Sequence, residues 1–302
     1  MSEEELTKLK TALKSKDETT ITELTISHTS KELLSIRQAY NSKFNRNLLD
    51  DIEKYTKSDL CKVLTSIYKD PVEYDTDLLY KAMKGIGTND EILIEVISFR
   101  NFSRLTKIKQ KFKEKYGKDL ISEIKSETSG DYKKSLVSIL EKERNTNSNP
   151  DVESCVKIAD ELYGAGEGKI GTNEEIFVKY FTSLSPEELE LVGKEYHKKY
   201  KKNIVQVIEK EIGGDLKKLF KSILYGLISP SEYFARQINA AVKGMGTNDE
   251  QLIRSIVTRK DEDMKMIKKY YKKLFRKNMA DDIKGDTSGN YQKILLALID
   301  EK

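Results

Sequence analysis

The chain repeats itself, and that limits its possible folds more than any other feature. Lys84-Gly85-Ile86-Gly87-Thr88-Asn89-Asp90-Glu91 recurs as Lys243-Gly244-Met245-Gly246-Thr247-Asn248-Asp249-Glu250, 159 residues further on. A third copy reads Lys169-Ile170-Gly171-Thr172-Asn173-Glu174-Glu175. Downstream of these lies a second repeated stretch: Glu127-Thr128-Ser129-Gly130-Asp131-Tyr132, then Glu211-Ile212-Gly213-Gly214-Asp215-Leu216, then Asp286-Thr287-Ser288-Gly289-Asn290-Tyr291. A worn fourth copy opens the chain, with Ile36 to Leu48 matching Ile108 to Leu120 and Tyr55 falling where Glu127 falls. The repeats are placed at 1–70, 71–145, 152–229 and 230–302. Such a chain uses one supersecondary unit several times.

Within a unit the apolar residues keep helical spacing. Ile92, Leu93, Val96 and Ile97 share one face, and so do Leu105, Ile108 and Phe112. Leu120, Ile121 and Ile124 form another face, and Leu136, Ile139 and Leu140 a last one. Thr88 with Glu91, Thr172 with Glu175 and Thr247 with Glu250 have capping-box spacing, which predicts a helix starting just after each glycine pair. Asn145 to Pro150 is the best linker, since Asn favours turns and Pro ends helices. Its Asn density suggests an EF-hand loop, but the alternating acids and final Glu are missing. The expected fold is all-α.

Composition removes several function classes. Charged residues make up 34% of the chain, yet 54 basic residues face 50 acidic ones, for a net charge of +4. Runs such as Lys198-Lys199-Tyr200-Lys201-Lys202 sit in helical patterns with Glu nearby and read as solvated faces, so no nucleic-acid partner is expected. Cys61 and Cys155 lack metal or redox spacing and read as plain thiols of a reducing compartment. The acidic start has no apolar signal core, and the longest apolar stretch, Ile294 to Ile299, is far too short to span a bilayer. A cytoplasmic protein with peripheral membrane contact is expected. His28 and His197 sit in unrelated settings, and no nucleophile elbow, P-loop or metal-histidine motif accompanies them, so no enzyme is expected.

A glycine after a helix is by itself an ordinary cap. The spacing adds more. The second glycine is followed 40 residues later by a carboxylate in each intact copy: Gly87 by Glu127, Gly171 by Glu211, Gly246 by Asp286. Two interhelical loops at one end of a helix bundle can meet. Calcium takes six to eight oxygens, often main-chain carbonyls and a bidentate carboxylate. A bent glycine loop supplies about three and the carboxylate two, leaving roughly two positions for water or a lipid phosphate oxygen. Calcium and membrane binding are then linked. Ile86, Ile170 and Met245 are apolar at the loop tips, placed either to enter the membrane interface or to pack back on their own helices. Lys84, Lys169 and Lys243 add attraction to acidic lipids or end their helices in solvent.

In these residues the chain resembles the annexin family over nearly its whole length. The resemblance implies five helices per repeat, packed into a curved disc with calcium loops on the convex face, and calcium-dependent binding to acidic phospholipids. It implies calcium ligation in repeat two by the carbonyls of Met83, Gly85 and Gly87 with the Glu127 carboxylate. In repeat four the set is Val242, Gly244, Gly246 and Asp286. Repeat three has the variant loop Gly166-Glu167-Gly168-Lys169-Ile170-Gly171, with the carbonyls of Gly166, Lys169 and Gly171 joining Glu211. Its Ile212-Gly213-Gly214 departs from the pattern, which weakens that expectation. Repeat one has no glycine in Leu13 to Asp17 and Tyr55 in place of the acid, so no such site is expected there. The family's arginine at the end of the second helix is present as Arg100 and Arg259. Thr29 and Leu184 stand in that area of repeats one and three, which puts the internal ion pair there in doubt. Only a few residues precede the core, so regulation by a long head is not expected. The partners implied are acidic phospholipid surfaces on the inner face of membranes when calcium rises, with a monomer in solution and lateral assembly on the membrane. Divergent protist members associate with cytoskeletal elements, and the worn first repeat suits such drift. A calcium-regulated cytoskeletal scaffold is therefore the rival reading.

Overall fold

The computed structural model describes residues 2–168, 170–244 and 246–300. Among them it contains helices and no strand. The helices fall into four runs of five. The first is α1 (Glu3–Ser15), α2 (Glu18–Ile26), α3 (Ser30–Phe44), α4 (Leu48–Tyr55) and α5 (Ser58–Ile67). The second is α6 (Pro71–Met83), α7 (Asp90–Phe99), α8 (Phe102–Tyr116), α9 (Leu120–Glu127) and α10 (Gly130–Glu141). The third is α11 (Val152–Ala165), α12 (Glu174–Ser183), α13 (Pro186–Tyr200), α14 (Ile204–Glu211) and α15 (Gly214–Ile228). The last is α16 (Pro230–Val242), α17 (Asp249–Arg259), α18 (Met264–Phe275), α19 (Met279–Asp286) and α20 (Gly289–Ile299).

The chain forms two compact units, one of residues 1–71 with 231–302 and one of residues 72–230. In the second, the expected faces are the core: Leu93, Val96, Ile97, Leu105, Ile108, Phe112, Leu136 and Leu140 are buried with Phe177, Phe181 and Phe220 of the third run. α15 passes so close to α7 that a Cβ on Gly226 would stand 2.1 Å from the Phe99 ring, so only glycine fits there. In the first unit, Leu9, Leu13, Ile21 and Val63 are buried, as are Leu252, Ile256 and Ile294 from the other end of the chain.

Charge is also buried at the corner between α7 and α8. Arg100 Nε and Nη2 both donate to Asp75 at 2.9 Å, and Arg104 Nη2 lies 2.6 Å from the same carboxylate. The bidentate fork satisfies groups that would be costly to bury alone. In the last run, position for position, Phe234 replaces that aspartate. Arg259 accordingly sits over the Phe234 ring at 4.8 Å and pairs with Asp263 at 2.7 Å. In the third run Leu184 occupies the arginine position and is buried.

Candidate functional site

The loop between α6 and α7 is an arch closed at its base. Asn89 N donates to Ala82 O at 2.8 Å. Gly85 and Gly87 turn the arch at φ +110° and +85°, a region that strains any L side chain. Met83 at the foot is buried, whereas Ile86 at the crown is 109% exposed. An isoleucine held fully in water by a glycine turn is not packed on its own helices. The loop between α16 and α17 repeats the arrangement. Asn248 N donates to Ala241 O at 2.8 Å, Val242 is buried, and Gly244 and Gly246 have φ +124° and +87°. Met245 at its crown lies outside the described residues.

The distant acids come to these arches. Thr88 Oγ1 donates to Glu127 Oε2 at 3.1 Å, and Thr172 Oγ1 donates to Glu211 Oε2 at 3.0 Å. In the last run Thr247 Oγ1 donates instead to the main-chain oxygen of Asp286, also at 3.0 Å. Aspartate is one methylene shorter, and the threonine reaches the backbone beside it. Each acid ends its helix just before a tight turn, whose glycine, Gly130, Gly214 or Gly289, has positive φ.

The threonines correct the capping-box reading. The residues that cap α7 and α17 are Asn89 and Asn248, whose side chains accept from Ile92 N and Gln251 N, and Asn173 stands at the cap position of α12 without a side-chain bond. The chain is still turning at the threonine, so the helix starts one residue later than the spacing predicted. The hydroxyl is left to join the two loops. The constant threonine-to-acid spacing was the available sign of this role.

The third loop differs in detail. Gly166 caps α11 at φ −117° and is buried, and a Cβ there would meet Phe177 at 3.4 Å and Glu211 Cγ at 3.5 Å. Gly171 has φ +81°, Ile170 is 104% exposed, and Lys169 lies outside the described residues. Lys210 Nζ sits 3.3 Å from Glu211 and 3.8 Å from the buried Glu167 carboxylate. Among the described residues Glu127 and Asp286 have no such ion pair. Ser126 and Gly285 stand where Lys210 does. In the first run the arch is two residues shorter, closed by Asp17 N on Ala12 O at 2.9 Å, and half-buried Tyr55 stands in the place of the acid.

No group of three or more His, Cys, Asp and Glu among the described residues could hold a metal ion. The donors available at each arch are main-chain carbonyls and one carboxylate. Such an all-oxygen set suits a hard ion such as calcium and is poor for zinc or copper.

A family model described as annexin matches residues 5–67, 74–139, 158–223 and 233–298. The chain belongs to the annexin family. Annexin A7 of Dictyostelium discoideum is 38% identical over 266 residues, covering 87% of this chain and 57% of that protein. Annexin A13 of Mus musculus is 35% identical over 283 residues, covering 94% and 89%. Among solved structures, annexin III superposes with a TM-score of 0.93 at 28% identity, covering 98% of this chain and 92% of that one. Calcium-bound annexin (Sm)1 gives 0.84 at 27% identity, covering 98% and 89%. Annexins as a family bind calcium and phospholipid and are not enzymes. No helix among the described residues of this annexin is long and apolar enough to cross a membrane.

Proposed function

We propose that this annexin docks on acidic phospholipid surfaces when calcium fills the arches of repeats two, three and four. The observation that carries the reading is the joining of each arch to its distant acid through the threonine, with Ile86 and Ile170 fully exposed at the crowns. Met83, Gly85 and Gly87 would hold the ion with Glu127; Val242, Gly244 and Gly246 with Asp286; and Gly166, Lys169 and Gly171 with Glu211. Bound calcium supplies positive charge and coordination positions that a lipid phosphate can complete. The arches fix the carbonyls, Thr88 and Thr172 hold the acid side chains against them, Thr247 holds the backbone beside Asp286, and the crowns add apolar contact. Full burial of an isoleucine side chain is worth about 1.5–3 kcal/mol, and a crown entering the interface gains part of it. A protein that works this way is monomeric in solution, assembles laterally on the membrane, and is recruited to the inner face of membranes as calcium rises.

Sedimentation with phosphatidylserine-containing vesicles tests this. The expected result is pelleting with calcium and release by EGTA. Absence of binding with calcium, or retention in EGTA, would contradict it. The scaffold reading draws on the exposed cations Lys265, Lys269, Lys272 and Lys273 of α18 and Arg276 at its C-terminal cap. It expects co-sedimentation with acidic filaments whether or not vesicles are present.

A further inference from the structure

The calcium arch stands at the N-terminal end of α7. At the other end, about 15 Å away along a ten-residue helix, the structure opens a cleft of about 230 Å³. Its apolar walls include Phe99, Phe102, Leu105, Ile139 and Leu227. Its charged lining residues are Arg100, Lys142, Glu143 and Arg144. Arg100 is spent on Asp75. Arg144 is not matched in that way. Its Nη1 donates to Leu184 O at 3.0 Å, while Nη2 is shut off from water and donates to nothing. No carboxylate among the described residues pairs with it, and the adjacent Glu143 is exposed. Burial lowers the guanidinium to about 10, with no neighbouring acid to raise it. It remains charged at neutral pH.

Nor is Arg144 a loose surface side chain. The linker that carries it is fastened to the corner between α12 and α13. Asn145 N donates to Ser183 O at 2.8 Å, Ser185 Oγ to Asn147 O at 2.8 Å, and Asn145 Nδ2 to Glu188 Oε2 at 3.0 Å. Leaving a buried donor without an acceptor costs about 1–3 kcal/mol, more for a charged group. An apolar side chain of similar size would serve packing better. The cation therefore makes most sense as one half of a pair.

We propose that this cleft binds a small organic oxyanion, a carboxylate or phosphate monoester on a compact apolar body. A small turn of the Arg144 guanidinium into the cleft it lines presents its fork to the oxyanion, the geometry in which arginine is strongest. Lys142 at the rim adds attraction, and Phe99, Phe102 and Leu227 hold the body. The volume lies below the roughly 300–1,000 Å³ of drug-sized pockets, so the body has to be compact.

Calorimetry and side-chain ¹⁵N NMR on the full chain test the proposal, with benzoate, phenyl phosphate, inorganic phosphate and neutral benzamide as probes. Benzoate or phenyl phosphate is expected to bind saturably and shift the Arg144 Nε–Hε signal. Benzamide, and benzoate with Arg144→Met, should bind about tenfold more weakly or worse, the loss expected for a charge-assisted hydrogen bond. Arg144→Lys, which keeps the charge and loses the fork, should also weaken binding and serves if the Met variant does not fold. Glu127→Gln should leave it unchanged, which separates this site from the calcium arch. The proposal is overturned if neither anion binds saturably. It is equally overturned if benzamide or inorganic phosphate binds as well as the organic anions, or if either Arg144 variant binds undiminished.

Discussion

Repeats two and three set the same motif in different electrostatic surroundings. At the second repeat, exposed Glu127 takes a hydrogen bond from Thr88 and has no cation paired with it among the described residues. At the third, Glu211 takes the same bond from Thr172 but is half-buried, with Lys210 at 3.3 Å. The far ends of their second helices differ as well. Repeat two buries the Arg100–Asp75 pair, and repeat three buries Leu184. Equal threonine-to-acid spacing thus gives the same hydrogen bond between the two loops but unequal charge around it. If the arch of repeat three takes calcium as proposed, its carboxylate starts partly neutralised by Lys210, which the ion would have to displace.

The largest test of this comparison lies at the corner. Asp75→Asn leaves Arg100 and Arg104 without their shared carboxylate and should cost about 3–5 kcal/mol, read from urea unfolding. A loss under about 1 kcal/mol would mean that repeat two does not depend on its buried pair. Next come the crowns. Ile86→Asp should weaken calcium-dependent vesicle binding by about tenfold, part of the transfer energy of an isoleucine. Ile170→Asp should cost less, because the Lys210–Glu211 pair should make its arch fill only at higher calcium. Equal losses would remove the distinction between the two arches. The smallest effect is that of Lys210→Ser. In a chain already carrying Glu127→Gln and Asp286→Asn, it should lower the calcium midpoint of the remaining arch about two- to fivefold. That is the roughly 0.4–1 kcal/mol at the upper end of an exposed ion pair's worth, since the lysine is largely solvated. A midpoint that rises or does not move would mean Lys210 is no competitor.

Much of this was legible in the sequence because it is carried by short-range rules. Glycine pairs must turn, helical spacing must bury one face, and Leu93, Ile97, Ile108 and Leu136 do so. The pairing of each arch with an acid forty residues away could be read because it recurs. What escaped depends on contacts across the fold. Thr88 reads as a cap until the structure shows Asn89 in that position. Arg259 matches Arg100 in sequence, yet Phe234 in place of Asp75 sends it to Asp263. Lys210 is one of many lysines, and only a side-chain direction brings it to Glu211. Arg144 adjoins a linker whose visible signal is its asparagines, and its lack of an acidic partner among the described residues is a property of the corner it docks on.

The central claim is that arch and acid hold calcium together. Its most direct test is calcium-dependent vesicle binding of the Glu127→Gln, Asp286→Asn double variant against the natural chain, with circular dichroism to confirm equal folding. The account predicts a calcium requirement raised by about tenfold or more, since each altered arch loses its only charged ligand. An unchanged calcium midpoint in a folded double variant would contradict it.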